Sequence, residues 1–287
     1  MRAFCRMSHL QATSMNFKRN DVQEFIETDL GCCNLSIWPS YKSALEKWSI
    51  TSLNINHIRD CVNSDIQSYF LKAFQSFSQA LHEIADKKYA WSIVKLYYCI
   101  FYLLRCEILL SNHIIIRCKS LYYTQVKLGG SPVVLAPKKF KGDHQLSIAL
   151  AERLYNQSEL NDPILGNKID GENVYMWFMS HRDRVNYQMK DFSDPQCDPA
   201  LQHIILYFNE NKLLDLFKYY SLCPDFSICF DKDHTLLSVP YLKLVSIYKR
   251  ISSNLVLSYK AKVKIVDSLN LLLDLGITKR DIQALIQ

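Results

Sequence analysis

Apolar positions along the chain recur mostly at helical spacing. From Asn63, "NSDIQSYFLKAFQSFSQALHEIA" places Ile66, Phe70, Leu71, Phe74, Phe77, Leu81 and Ile84 in one continuous stripe, which predicts an amphipathic helix with Ser64 or Asp65 as its cap. Residues 89 to 111 follow, apolar on most of their circumference, and predict a helix central to a bundle. Helical periodicity returns at 143–157, at 174–189 and at 200–222. Two shorter helices are expected earlier, one over Asp21–Leu30 ended by Gly31 and one after Ser40 as N-cap.

Between these segments the pattern changes. "LYYTQVKLGGSPVVLAP", 121 to 137, carries β-branched and aromatic residues around Gly129-Gly130, with prolines that bar a helix, and reads as a β-hairpin or extended loop. Residues 161–173 read as loop and 223–240 as irregular. Near the C-terminus Gly276 stands at a helix end, and Thr278 with Asp281 forms a capping box for a final helix. The expected architecture is mainly α: an N-terminal extension over 1–62, a helical bundle over 63–222 with the hairpin inserted, and a helical C-terminal segment over 223–287.

Composition agrees with that picture. Hydrophobic residues make up 49 % of the 287, and only 7 glycines and 8 prolines are present, fewer than a turn-rich sandwich needs. The longest apolar stretch, 93 to 110, is interrupted by Lys95, Arg105 and Glu107. It falls short of the roughly 20 uncharged apolar residues of a spanning helix, so no membrane partner is expected. The ten cysteines include no CxxC pair and no secretory signal precedes them. Free thiols in a reducing cytoplasm are expected, and no metal site. The first twenty residues hold Arg2, Arg6, Lys18 and Arg19 and no acid, and read as a frayed tail.

The net charge of +6 permits a nucleic-acid partner without demanding one. Arg117, Lys119, Lys127, Lys138, Lys139 and Lys141 cluster around the hairpin among Tyr122, Tyr123 and Phe140. Lysines on phosphates and aromatics on bases would bind RNA; lysines guarding a sheet edge are the other reading. "LLLDLGITKRDIQALI" has the outline of a helix-turn-helix, but offers only Lys279, Arg280 and Gln283 as polar readers, and a plain helical hairpin is preferred.

"HRDRVNYQMKDF", 181 to 192, is the densest chemical stretch. On a regular helix Arg182 and Asn186 share a face, while Tyr187 lies about 140° round from Arg182, so that the two flank a groove. Charged helix faces are common, and this one alone would be an ordinary salt-bridged surface. Two further stretches add to it. Tyr97, Tyr98, Phe101 and Arg105 in the apolar helix, "GDHQLSIALAERL" from Gly142, and "RDRVNY" follow one another in an order and spacing similar to the motifs of HEPN domains, over about 63–192.

The resemblance implies a four- or five-helix up-and-down bundle acting as a homodimer. It implies metal-independent RNA cleavage or RNA binding in a toxin–antitoxin or anti-phage defence system, with a cognate antitoxin or defence-system protein as partner and no cofactor. Arg182 would contact phosphate and Asp183 would orient it. His181 and Tyr187 would handle protons, and Lys138, Lys139, Lys141, His144 and Arg184 would contact RNA. The chain departs from the family in one place: the histidine that ends the arginine motif is Tyr187 here. Tyrosine, with an ordinary pKa of about 10, is a poor base. A non-catalytic scaffold binding a partner protein or a nucleotide ligand is therefore the alternative.

Overall fold

The computed structural model describes residues 19–32, 34–135, 142–192, 194–223 and 225–254, together with 263, 265, 268, 272–273 and 275–278. The chain is mainly helical with a small antiparallel sheet. Among the described residues, no helix is long and apolar enough to cross a membrane. The chain divides into two compact units, Met1–Asp65 with Asn112–Lys139, and Ile66–Ser111 with Phe140–Gln287.

The first unit holds helix α1 (Asp21–Asp29), a 3-10 turn (Leu35–Tyr41), helix α2 (Lys42–Lys47) and the start of helix α3 (Ile55–Ala85). It also holds a three-stranded antiparallel sheet of β1 (His113–Cys118), β2 (Ser120–Gln125) and β3 (Val133–Val134). The expected hairpin is therefore a larger element. Its first strand carries Ile114, Ile115 and Ile116, which pair with Thr124, Tyr123 and Tyr122. Three consecutive β-branched residues favour extended backbone, but they continue the apolar run of the preceding helix, so periodicity alone does not reveal the change. Gly129-Gly130 bonds through its backbone to Ile50 on both sides. At Gly130 a Cβ would collide with the Gln125 carbonyl, so only glycine fits.

Two expected caps fall elsewhere. α3 begins eight residues before Asn63, and Asp65 lies inside it. Its buried carboxylate accepts from the backbone N–H of Asp21 at 2.7 Å and of Val22 at 3.2 Å, and so caps α1, whose own Asn20 makes no side-chain cap bond. Ser40 is not an N-cap either. It lies in the 3-10 turn around Pro39 and donates back to the Ile37 carbonyl, while Asn34 caps that turn.

The second unit is a helical bundle. Its helices are the rest of α3, α4 (Tyr89–Leu110), α5 (Asp143–Asn156), α6 (Val174–Asp183), α7 (Gln202–Asn209), α8 (Leu213–Ser221) and α9 (Lys232–Asn254). α4 is buried on most of its circumference, as its sequence predicts, and packs against α5, α6 and α9. The strong pattern at 200–222 is two helices, broken where Asn211 turns into the left-handed region at φ 57°. The stretch expected to be irregular, 223–240, is largely a 3-10 turn (Ser227–Phe230) followed by α9, which carries Pro240 in its interior. A proline forfeits one backbone bond there; Leu236, Leu237, Val239, Leu244, Ile247 and Ile251 are nevertheless all buried, and their packing holds the helix. Gly276 has φ 77°, as a helix-ending glycine requires. The final helix expected after it, with Lys279, Arg280 and Gln283, lies outside the described residues.

An ion network is buried in this unit. Lys243 of α9, 2 % exposed, lies 2.9 Å from Asp162 and 3.2 Å from Glu107 of α4. Arg250 takes the other oxygen of Glu107, and the Tyr175 hydroxyl donates to Asp162. Burial opposes the lysine's charge, but the two carboxylates hold its pKa above the ordinary value.

Candidate functional site

The three stretches singled out in the sequence meet around Arg182. This residue is next to last in α6, which is begun by the Asn173 side chain accepting from the Met176 N–H at 2.9 Å. Its guanidinium carbon lies 4.6 Å from the centroid of the Tyr97 ring of α4, a cation over an aromatic face. Tyr97 is fully buried, and its hydroxyl is hydrogen-bonded to Nδ1 of His144. His144 stacks flat on Phe101, centroids 4.0 Å apart and planes 1° from parallel. One residue from each stretch therefore builds a continuous chain, Arg182 to Tyr97 to His144.

Local backbone explains two of these positions. Gly142, the residue before α5, adopts φ 88° and ψ 160°, a conformation open to glycine alone, and so presents His144 in the first turn. After α6 the helix widens into a π turn over Arg184–Gln188, closed by the Met189 N–H donating to the Arg184 carbonyl at 3.0 Å. Such i→i+5 turns concentrate at functional sites. The widening brings residues five apart onto one side, so the Tyr187 ring lies 6.0 Å from the Arg182 guanidinium, not across a groove from it as a regular helix predicts. Tyr187 is 73 % exposed.

Arg182 is largely buried, its side chain 13 % exposed, and one nitrogen (Nη1) pairs with Asp183 at 3.0 Å. Its buried Nε has no hydrogen-bond partner among the described residues. Burial works against its charge, but Tyr97 and Asp183 outweigh that and raise its pKa, so the side chain is a permanent cation. Burial pushes the Tyr97 hydroxyl up to about 12, with Arg182 pulling the other way. Burial, with Arg182 and Arg105 behind it, lowers the pKa of His144, which is therefore neutral near pH 7. If Nδ1–H donates to the tyrosine oxygen, Nε2 keeps a free lone pair. The site thus combines a fixed cation, a buried hydroxyl and a neutral imidazole.

The other candidates are placed apart. His181 packs on Trp177 at 3.8 Å between centroids and bonds the Trp177 carbonyl through Nδ1. Burial lowers its pKa, and its charged neighbours are Arg184, Asp198 and Asp170, not the groups around Arg182. Arg184 is held by Asp198, whose other oxygen accepts from the Ala200 N–H. Lys138, Lys139 and Lys141, with Phe140, lie outside the described residues. Tyr122 offers no stacking face: it is buried in the first unit and donates to Glu46 at 3.0 Å.

Tyr97, named in the sequence only through the family resemblance, is the member of the site whose role between Arg182 and His144 the residue types alone do not reveal. A doubled tyrosine within an apolar helix is the available signal, but core packing explains such a pair equally well. Comparison with family models, with curated proteins and with solved structures finds no match to this chain.

Proposed function

We propose that this chain is a HEPN-like protein acting on RNA, with Arg182 and His144 at its phosphodiester site. One observation carries the reading: three stretches separated by tens of residues, similar in order to the HEPN motifs, converge on one arginine. Cleavage at such a site is a transphosphorylation. Nε2 of His144 takes the proton of the RNA 2′-hydroxyl, whose oxygen attacks the adjacent phosphorus. The bond to the 5′-oxygen breaks, and the Tyr187 hydroxyl gives that oxygen a proton. The products are a 2′,3′-cyclic phosphate and a 5′-hydroxyl. Arg182 stabilises the charge that builds on the phosphorane oxygens. His144 thereby takes the place left open by Tyr187.

A homodimer, a cytoplasmic setting and a cognate antitoxin or other defence-system partner belong to the same proposal. A second reading retains the bundle without the chemistry: a scaffold for a partner protein or nucleotide. The ion pair of Arg182 with Asp183 favours it, since it already engages one guanidinium nitrogen. Purified protein incubated with total RNA in EDTA, beside an Arg182→Ala variant, separates the two. Cleavage by the wild type alone supports the nuclease; equal inertness of two folded proteins supports the scaffold. Toxicity on expression relieved by the same substitution supports the nuclease independently.

A further inference from the structure

Beyond Arg182, a second cationic centre, Lys72 of α3 and Arg105 of α4, is joined to the first by aromatic rings. Lys72 Nζ and the Arg105 guanidinium lie 5.4 and 5.2 Å from the centroid of one ring, Tyr69. Neither takes part in an ion pair among the described residues, although Arg105 is within 3.4 Å of the Ser147 hydroxyl. Lys72 also lies 5.7 Å from the Tyr102 centroid. Tyr102 stacks on Tyr98 at 6.1 Å, and Tyr98 meets Tyr97, beneath Arg182, at 5.4 Å. Tyr98 and Tyr102 are both partly exposed. From Tyr97 to Arg105 is eight residues, about 12 Å along a helix.

We propose that single-stranded RNA lies along the exposed tyrosines of α4, between Arg182 of α6 and the pair formed by Lys72 of α3 and Arg105 of α4, one phosphate at Arg182, another at Lys72 and Arg105, with bases against Tyr98 and Tyr102. The inference rests on the RNA reading above and adds the form of the substrate. Rings between two cationic centres suit bases that are free to stack, and paired bases in a duplex are not. Core packing accounts for the buried Tyr69, but not for two cations gathered over its ring with no ion-pair partner of their own among the described residues.

The test is fluorescence anisotropy with a labelled 2′-O-methyl oligouridine, which lacks the attacking hydroxyl, and with the duplex it forms with 2′-O-methyl oligoadenosine. Single strands are expected to bind at least tenfold more tightly than the duplex. The double variant K72A/R105A is expected to lose at least tenfold in affinity, and its salt dependence to flatten by roughly 0.7 for each phosphate it no longer neutralises. Tyr102→Leu is expected to weaken binding several-fold with the salt slope unchanged. K72Q/R105Q carries the same expectation should the alanine pair not fold, with circular dichroism as the check. Equal binding of duplex and single strand, or unchanged affinity and slope in the folded double variant, overturns the track. Cleavage of unmodified oligouridine reports separately on the catalytic reading. If Arg182→Ala abolishes cleavage while K72A/R105A binds normally, the nuclease stands and the track falls. If the track variants lose binding while the wild type cleaves nothing, the track stands and the nuclease falls.

Discussion

The Arg182 guanidinium lies over the ring of Tyr97 while the Tyr97 hydroxyl bonds His144, so one buried tyrosine positions both the cation and the imidazole. Tyr97→Phe keeps the ring and removes the hydroxyl. The expected cost in stability is about 1 kcal/mol, one hydrogen bond's worth, by urea denaturation. The cation over the ring should survive, while the RNA cleavage proposed above is expected to fall because His144 loses its orientation. Tyr97→Leu removes the aromatic face as well and is expected to cost more on both counts. Equal behaviour of the two variants would contradict this division of roles.

Three histidines, His144, His181 and His234, have pKa values lowered chiefly by burial. The unfolded chain therefore binds more protons than the folded one between those lowered values and about 6.5. Stability rises with pH across that window and is lost as pH falls through it. Thermal midpoints should drop from pH 7 to pH 5, and less steeply in His144→Gln. A variant whose slope matches the wild type would show that His144 is not among the linked groups.

Lys243 neutralises Glu107 and Asp162 in the interior of the second unit. Lys243→Met leaves both acids buried with one neutralising charge fewer, and a loss of about 3–5 kcal/mol is expected in denaturant unfolding. Adding Asp162→Asn should recover part of it. A Lys243→Met protein as stable as the wild type would mean that water reaches the acids.

Asp65 caps α1 from the middle of α3. Asp65→Ala removes an acceptor from two backbone N–H groups and a negative charge from the helix N-terminus, a loss of about 1–2 kcal/mol. Hydrogen exchange should quicken first at the Asp21 and Val22 amides. Unchanged protection there would rule out the cap.

Much of the fold is legible where one periodicity runs long. The stripe from Ile66 to Ile84 and the apolar circumference of α4 need no tertiary information to be seen. The failures come where a local signal serves a distant partner. Asp65 looks like the cap of its own helix because sequence carries no trace of the Asp21 amide forty-four residues away. β1 hides behind α4 because Ile114–Ile116 extends the same apolar run. Asn211 breaks the pattern at 200–222 through a backbone angle, which hydropathy does not encode. At the candidate site, the residue types of Arg182 and His144 stand out in the chain. Tyr97 is visible only as half of a doubled tyrosine, and its place between them is not, since a pairing over forty-seven residues exists only after folding. Likewise, the place of Tyr187 beside Arg182 depends on a π turn that a 3.6-residue wheel does not contain.

The central claim, that Arg182 and His144 act together on an RNA phosphodiester, is tested most directly by single-turnover cleavage of an end-labelled single-stranded oligoribonucleotide in EDTA, with product ends identified by mass. The account predicts 2′,3′-cyclic phosphate ends from the wild type, and a loss of at least about a hundredfold in rate for both Arg182→Ala and His144→Ala. No cleavage by the folded wild type, or cleavage that survives either substitution undiminished, would contradict it.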